Sequence, residues 1–386
     1  GTNGTVYVGE VPLVEPKETP ELGELLSWAD EVRTIGIRAN ADTPEDAARA
    51  RSLGAEGIGL ARTEHMFMGE RLEIVQTIIL SKDPEVRQDA LDRLERQQVD
   101  DFEGILEAMD GLPVVVRLLD PPLHEFLPNR MELEHEILRR VWAGRSVADL
   151  QRMWSEVARW EEDNPMLGLR GVRLGLMFPE LYRLQAGAAA QALVRRIRAG
   201  GDPHLEIMIP LVSTGPELRR MREMVEEEIA SVAAESGLEL EVPVGTMIEL
   251  PRAALTADEI AEVADFFSFG TNDLTQMTYG LSRDDAEGVF LGDYLEQQIL
   301  PFNPFQTLDT AGVGRLIRIG TEEGRAANPD LVVGVCGEHG GDPASIAFCM
   351  EVGLDYVSAS PPRIEGARLA AAQAALSKGT EERRDV

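Results

Sequence analysis

The sequence contains little cysteine, which limits how the chain can be cross-linked. Cys336 and Cys349 are the two cysteines among 386 residues. They form neither a disulfide framework nor the paired-cysteine spacing of a zinc site. A reducing cytoplasm is therefore the expected compartment.

Long apolar runs and a surplus of positive charge are also absent. No stretch approaches the roughly 20 continuous apolar residues that a membrane helix needs, and no basic segment followed by an apolar run marks a signal peptide. The formal net charge is −31, which argues against nucleic acid as a partner because phosphate backbones bind positive surfaces. We therefore expect neither a membrane nor a nucleic-acid partner, and an anionic substrate would depend on local arginines or a metal.

Eight short apolar runs alternate with helical stretches from residue 34 onward. Each run is apolar on both faces and rich in Val and Ile, which is typical of strands in a parallel sheet. The runs cover 35–40, 57–63, 114–120, 205–212, 242–250, 265–273, 331–338 and 355–360. Helices are predicted over 21–32, 43–54, 213–237 and 342–353. This alternation predicts an α/β fold, a (β/α)₈ TIM barrel.

Two regions depart from the simple alternation. Residues 1–20 suggest a short strand and a Pro-rich linker, the end of an upstream domain, and we expect the barrel to occupy 21–386. The interval 121–204 is too long for an ordinary connection, and it includes two helical stretches and the loop 163–175. We interpret it as an enlarged third strand-to-helix connection, which in a barrel usually shapes the active site.

Acidic residues end neighbouring runs, and the carboxyl ends of barrel strands meet at one rim. Glu249 ends the fifth run, and Asn272 and Asp273 end the sixth. Two carboxylates with oxygen neighbours suit a hard cation that keeps water and substrate ligands. Mg²⁺ is the expected ion, with Mn²⁺ as the alternative, unless each carboxylate instead pairs with an arginine.

Several arginines are available for an anion. Arg62 and Arg117 end adjacent runs, where a buried guanidinium is costly unless paired, and a phosphate pairs with it by bidentate contact. Arg170 and Arg173 lie in the third connection, and Arg283 lies in a loop after the sixth run. The alternative for each is a salt bridge to an acidic residue, which is more credible for Arg173 and Arg283.

Backbone N–H groups and a thiol complete the predicted site. Gly270, Thr271 and Asn272 lead into a helix, where exposed N–H groups could bind a carboxylate. Cys336 ends the seventh run beside glycines, and a thiol there could donate a proton. Cys349 is predicted to be a small buried hydrophobe.

Six segments closely resemble the phosphoenolpyruvate (PEP)-utilising enzymes. They are GIGLARTEHMF (57–67), VVVRLLDPPLHEFLP (114–128), NPMLGLRGVRLG (164–175), GTMIELPRAAL (245–255), FFSFGTNDLTQMTYGLSRDD (266–285) and VCGEHGGDPASIAF (335–348). The resemblance covers nearly the whole chain and implies a C-terminal PEP/pyruvate-binding barrel. RTEHMF, LDPPLHEFLP and CGEHGG are most similar to the pyruvate, phosphate dikinases of this family.

The resemblance implies roles for the basic residues and the thiol. Arg62 and Arg117 match the family's phosphate-binding arginines. Arg170 lies in the matching loop, and Arg283 is a further candidate. Cys336 matches the general acid that protonates the enolate.

It also implies the metal and carboxylate ligands. Glu249 and Asp273 match the Mg²⁺ ligands, and Asn272 matches a residue that helps to hold the substrate carboxylate. Leu169 and Val172 depart from the family pattern, where a histidine and a cysteine are expected. That departure leaves the predicted chemistry intact and could alter the packing of the loop.

The implied reaction interconverts pyruvate and PEP through a Mg²⁺-bound enolate, with the phosphoryl group carried by a histidine. No Gly-Gly-x-Thr-Ser-His motif occurs in the sequence. A phosphohistidine domain in cis, missing from this sequence, or a partner in trans would supply that histidine, so the isolated chain would catalyse a partial reaction. The family also suggests a homodimer.

Other functions remain compatible with the sequence. They are a PEP synthase-like or enzyme I-like phosphotransferase, a Mg²⁺-dependent 2-oxo-acid lyase, and a catalytically silent regulatory paralogue. A stand-alone barrel served by a separate phosphocarrier is a further alternative.

Overall fold

A computed structural model of the protein describes residues 19–382. Within that range, eight parallel strands close into a barrel in sequence order. The strands are β1 Gly36–Asn40, β2 Ile58–Arg62, β3 Pro113–Arg117, β4 His204–Ile209, β5 Val244–Ile248, β6 Phe266–Phe269, β7 Val332–Val335 and β8 Tyr356–Ala359. Each overlaps one predicted apolar run, and the predicted (β/α)₈ barrel is confirmed.

Helices connect the strands and surround the barrel, and local sequence determines where several of them begin. The α-helices are α1 Pro20–Val32, α2 Pro44–Ser52, α3 Leu72–Leu80, α4 Pro84–Ala108, α5 Arg130–Trp142, α6 Ala148–Trp160, α7 Val172–Met177, α8 Pro179–Arg198, α9 Gly215–Ser236, α10 Pro251–Leu255, α11 Ala257–Ala261, α12 Thr271–Tyr279, α13 Arg283–Val289, α14 Leu291–Glu296, α15 Val313–Ala327, α16 Pro343–Val352 and α17 Ile364–Glu382. The side chains of Thr43 and Asp342 cap α2 and α16, each just before a proline. Thr214 and Glu217 form a capping box at α9.

The connection between β3 and β4 is enlarged, as the sequence predicts. It contains four α-helices, α5 to α8, two more than the sequence indicated. The predicted loop 163–175 is helical from Val172 onward. Gly171 precedes this helix with φ 57°, and a Cβ there would lie 2.6 Å from the Leu211 Cβ. Glycine is therefore needed where the chain turns into α7.

Alternation along the strands separates the two hydrophobic clusters to which the strands contribute. One cluster, here called the outer core, lies between the barrel and its helices. The other fills the barrel interior and consists of Leu60, Val115, Met208, Met247, Phe266 and Cys336. Cys336 thus lies inside the barrel, at the carboxyl end of the strands.

Two expectations concern the ends of the chain and the membrane. The predicted upstream segment 1–20 lies almost entirely outside the described residues. Among the described residues, no helix combines the length and apolar character that crossing a membrane requires.

Candidate active site

The carboxyl ends of the strands, here called the rim, are organised around Asp120. This residue follows β3 and is 4% exposed. Its Oδ2 lies 3.0 Å from Arg117 Nη1 and 2.7 Å from Arg170 Nη2. Arg170 Nη1 also lies 3.0 Å from Asp273 Oδ1, and Arg117 pairs with Glu64. The ion pairs hold both guanidinium groups in fixed positions inside a largely buried site.

Electrostatic interactions keep these arginines charged despite burial. Burial disfavours the charged form of Arg117, but Glu64 and Asp120 raise its pKa above the ordinary value. Burial opposes ionisation of Asp120 as well, yet Arg117 and Arg170 lower its pKa. The rim therefore contains a persistent network of ionised groups.

Glu249 follows β5 and carries an unpaired oxygen into the same region. Its Oε1 accepts a hydrogen bond from the Leu211 N–H at 2.6 Å. Leu211 adopts φ 59°, a left-handed conformation that is unfavourable for a side chain of this type. Among residues 19–382, Glu249 Oε2 is buried without a hydrogen-bond partner. Burial and then Asp120 and Asp273 raise the pKa of Glu249 well above its usual range.

The donor set fits a hard divalent cation. Within the described part of the chain, no three His, Cys, Asp or Glu side chains gather as a ready-made metal site. Glu249 and Asp273 would therefore supply two ligands and leave positions for water and substrate, as Mg²⁺ prefers. Two observations favour a cation here: the unpaired Glu249 Oε2, and an excess of carboxylates over arginines. Three arginines, Arg62, Arg117 and Arg170, face five carboxylates, Asp42, Glu64, Asp120, Glu249 and Asp273.

Arg62 is held less tightly than the other two arginines. Its backbone N–H donates to Asp42 Oδ1 at 2.6 Å, while its Nη1 lies 3.6 Å from Asp42 Oδ2. His65 Nδ1 lies 2.7 Å from the same Oδ2. This hydrogen bond raises the pKa of His65. The long Arg62 contact leaves its guanidinium, the most exposed of the three, able to turn toward an anion.

The start of α12 is fixed against the loop that follows β7. Asn272 Oδ1 accepts a hydrogen bond from the Glu338 N–H at 3.2 Å. His339 Nε2 lies 2.9 Å from the Pro304 carbonyl oxygen, which can only accept, so Nε2 carries the proton and donates it. In the neutral ring Nδ1 is then the acceptor, and it accepts from the Thr271 hydroxyl at 2.8 Å. A Cβ at Gly337 would overlap Thr271 Oγ1. These contacts fix the start of α12 against the loop after β7.

Cys336 lies within the barrel directly after β7. It is 1% exposed, and burial raises the pKa of its thiol to about 11, against the opposing effects of Ser268 and Arg117. The thiol is therefore protonated at neutral pH, which suits a proton donor better than a nucleophile. Cys349 on α16 is also buried, and burial raises its pKa to about 12. Its packing in the outer core agrees with the prediction of a small hydrophobe.

The structure brings most of the predicted site residues together, but not all of them. Arg283 begins α13, where its Nε lies 3.5 Å from Glu287 Oε2. The salt bridge considered as the alternative for Arg283 is thus present. Arg173 donates to the carbonyl groups of Leu167 and Gly168 instead. Neither arginine contacts the rim carboxylates in the hydrogen bonds or ion pairs of the described residues.

The two positions that depart from the family pattern have packing roles. Val172 is fully buried at the start of α7, and its N–H donates to the Pro210 carbonyl at 3.0 Å. Leu169 packs against the outer core, and its N–H donates to Glu162 Oε1 at 2.7 Å. Neither side chain bonds to Asp120, but the two positions flank Arg170 and Gly171, which do.

Comparisons with known proteins show which family the chain resembles. Residues 16–376 match the family model described as PEP-utilising enzyme, PEP-binding domain. The chain is 54% identical over 375 residues to the chloroplastic pyruvate, phosphate dikinase of Flaveria pringlei, covering 97% of this chain and 39% of that protein. It is 52% identical to the chloroplastic pyruvate, phosphate dikinase 1 of Oryza sativa subsp. japonica, and this match covers 97% of this chain and 40% of that protein. The chain spans about two fifths of the length of these relatives.

A solved structure of a HpcH/Hpal aldolase/citrate lyase family protein from Burkholderia cenocepacia aligns with 93% of this chain and 99% of that one. The sequence identity is 14% and the TM-score 0.41, too low to support an argument. The match over residues 16–376 and the identity to the dikinases, in contrast, show the family. The chain belongs to the PEP-utilising enzymes, as a member of their PEP-binding domain family.

Proposed function

We propose that this chain binds PEP and pyruvate at the rim and catalyses the pyruvate half-reaction of a pyruvate, phosphate dikinase-like phosphotransferase. In that reaction the enolate oxygen of pyruvate attacks the phosphorus of a phosphohistidine, and the N–P bond breaks to give PEP. The supporting observation is the buried, protonated thiol of Cys336, which lies inside the barrel next to the rim. The rim combines arginines that are ion-paired to Asp120 with the Glu249 Oε2 atom, which has no hydrogen-bond partner among the described residues.

The arginines are suited to the phosphoryl group. Asp120 holds Arg117 and Arg170 in place, so little reorganisation is needed when charge develops on the phosphoryl oxygens. Arg117 Nε is buried without a partner among the described residues and has a donor to offer. Arg62 would complete the set by turning away from Asp42. A lyase acting on a 2-oxo acid would not need several phosphate-binding arginines.

Glu249 and Asp273 would hold Mg²⁺, or Mn²⁺ in its place. When bound, the cation supplies Lewis-acid stabilisation of the enolate. The Leu211 N–H and Arg170 fix the orientations of these two carboxylates. The first N–H groups of α12, at Thr271 and Asn272, would bind the substrate carboxylate, because a helix N-terminus attracts anions.

Cys336 would move the proton at carbon 3. In the direction of pyruvate formation, the protonated thiol donates to the enolate and becomes a thiolate. In the opposite direction, the thiolate accepts a proton from the methyl group. Burial keeps the thiol neutral before reaction, and the nearby charge of Arg117 favours the thiolate once it forms.

The phosphoryl donor would come from outside the described residues. A phosphohistidine domain, in cis or in trans, would deliver the phosphoryl group, so the chain alone would catalyse a partial reaction. Arg283 would join the site by leaving Glu287. We further propose a homodimer in a reducing compartment such as the cytoplasm, although several relatives are named chloroplastic enzymes.

Proton exchange between pyruvate and solvent tests this function. With Mg²⁺ and pyruvate in D₂O, the chain should incorporate deuterium into the methyl group, measured by NMR. Cys336→Ala should slow exchange at least about 100-fold, while calorimetry should still detect metal-dependent PEP binding. Cys349→Ala, which removes the other buried thiol, is the matched control and should exchange normally. Equal exchange rates in the two variants would remove Cys336 from the acid role.

A further inference from the structure

The backbone beside Asp120 is held by side chains from a distant helix. β3 ends at Arg117, and the Leu118 N–H still donates to the Met208 carbonyl of β4 at 3.0 Å. The next residue, Leu119, is fully buried, so its N–H and carbonyl groups require partners inside the protein. Both partners come from α8, which lies 63 and 66 residues further along the chain at the points of contact.

Tyr182 and Gln185 of α8 bind the two backbone groups of Leu119. The Leu119 N–H donates to Gln185 Oε1 at 2.8 Å, and the Tyr182 hydroxyl donates to the Leu119 carbonyl oxygen at 2.6 Å. Both side chains are fully buried. Burial, and then the charge of Asp120, raise the pKa of Tyr182 well above its usual range, so the phenol keeps its proton and remains a donor. The peptide unit that leads into Asp120 is therefore held from α8.

The start of α7 adds a third contact to the same segment. The Gly171 N–H, just before α7, donates to the Asp120 carbonyl oxygen at 2.8 Å. A Cβ at Gly175 would lie 2.5 Å from two atoms of the Tyr182 ring, so a glycine on α7 makes room for that ring. The enlarged third connection thus determines where the backbone of Asp120 lies.

The position of Asp120 matters because its carboxylate orients two arginines. Arg170 binds it in a bidentate manner, with Nε 3.3 Å from Oδ1 and Nη2 2.7 Å from Oδ2. Arg117 Nη1 lies 3.0 Å from the same Oδ2. A bidentate pair requires one orientation of the carboxylate plane. A shift of the backbone at Asp120 would therefore displace both guanidinium groups together.

We propose that Tyr182 and Gln185 are positioning residues for phosphate recognition: they fix the segment that carries Asp120, and Asp120 in turn holds the two arginines. The inference rests on the proposed function, in which these arginines bind the phosphoryl group of PEP. Neither α8 side chain would touch the substrate. The alternative is that both residues only satisfy buried backbone groups, which would support folding without affecting the choice of ligand.

The two ligands of the proposed site should respond differently to a loss of this support. PEP carries a phosphoryl group and pyruvate does not, so PEP depends more strongly on the arginines that Asp120 holds. The carboxylate of either ligand would meet the cation at Glu249 and the N–H groups of α12. Glu249 is oriented by the Leu211 N–H, and α12 is fixed by the loop after β7. A loss of affinity confined to PEP would therefore distinguish positioning from a general defect.

Calorimetry with PEP and with pyruvate, each with Mg²⁺, provides the first measurement on the full chain. Gln185→Leu and Tyr182→Phe should each weaken PEP binding at least about tenfold, with pyruvate affinity within about twofold of the unaltered chain. Gln98→Leu is the matched control. Gln98 on α4 is also fully buried, but neither atom of its amide has a hydrogen-bond partner within residues 19–382. This variant should change neither affinity.

NMR of the ligand-free chain tests the positioning itself. Arg117 and Arg170 are buried and ion-paired, so their side-chain N–H protons should exchange slowly with water and give separate signals. Gln185→Leu and Tyr182→Phe should shift these signals and speed the exchange at least about tenfold, whereas Gln98→Leu should not. Tyr182→Phe removes a single oxygen and keeps the ring, so it provides the result if Gln185→Leu does not fold.

The outcomes separate this inference from the proposed function. Unchanged arginine signals in the variants would overturn the positioning role, whatever happens to the ligands. Proportional losses of PEP and pyruvate affinity would overturn it too, because that pattern indicates a general defect of the site, as would normal affinity for both. If the unaltered chain bound no PEP while the variants still changed the arginine signals, the proposed function would be refuted, and the role in phosphate recognition with it.

Discussion

Two buried tyrosines allow one chemical change to be tested with opposite expectations. Tyr182 on α8 and Tyr356 on β8 are 0% and 3% exposed. The Tyr182 hydroxyl donates to the Leu119 carbonyl oxygen at 2.6 Å. The Tyr356 hydroxyl has no partner at hydrogen-bonding geometry among residues 19–382. Tyr182→Phe therefore breaks a hydrogen bond and leaves a buried carbonyl unpaired, whereas Tyr356→Phe removes an oxygen that was already unpaired.

The expected magnitudes follow from this difference. Tyr182→Phe should lower the free energy of unfolding by about 1–3 kcal/mol, the cost of a lost hydrogen bond and an unsatisfied group. Tyr356→Phe should change it by less than about 0.5 kcal/mol or raise it. Urea unfolding followed by circular dichroism measures both values at a constant m value. Equal losses in the two variants would refute the reasoning, because burial of the hydroxyl rather than its hydrogen bond would then determine stability.

Three further changes test the rim and the barrel interior. Gly334→Ala would place a Cβ against the Tyr356 ring and should cost about 1–3 kcal/mol in urea unfolding; an equal cost in a Tyr356→Ala background would argue against the overlap. Asp120→Asn removes the charge that two buried arginines share and should cost about 3–5 kcal/mol, with weaker PEP binding by calorimetry; a cost under about 1 kcal/mol would contradict this. The hydrogen bond to Asp42 raises the pKa of His65 above 6.5 in the folded protein. The protonated His65 therefore contributes its full stabilisation of the fold below pH 6.5, and this contribution is lost as the pH rises through the pKa of the folded state. NMR titration should show this raised pKa, and Asp42→Asn should return it toward 6.5.

The sequence predicts the barrel well because the signal is local and repeated. A strand buried on both faces must be apolar throughout, and each run carries that pattern by itself. Since all strands are parallel, their carboxyl ends meet at one rim. The proximity of Glu249 and Asp273 to Arg117 therefore follows from topology, before any side-chain position is known.

Side-chain partners across long sequence separations could not be predicted in this way. Asp120 follows Arg117 by three residues, a visible spacing, but its second partner, Arg170, lies 50 residues away in the enlarged connection. The sequence alone assigns Asp120 no role. For Arg283, a carboxylate one helical turn later, at Glu287, competes for the guanidinium. The sequence places both possible partners of Arg283 within reach, and the folded structure determines that Glu287 takes it.

The charge of the rim leads to a final prediction about the order of binding. Carboxylates outnumber arginines there, and the whole chain carries −31, so an anionic substrate would meet a repulsive field unless a cation binds first. PEP affinity, measured by calorimetry, should fall at least about 100-fold when EDTA replaces Mg²⁺, as expected for a lost charge-paired ligand. Glu249→Gln should keep the contact with the Leu211 N–H and remove the carboxylate that would bind Mg²⁺. It should weaken PEP binding with Mg²⁺ and change it little in EDTA, because burial and the neighbouring carboxylates already raise the pKa of Glu249 well above its usual range when no cation is bound. A variant weaker under both conditions would show that Glu249 acts through packing rather than charge.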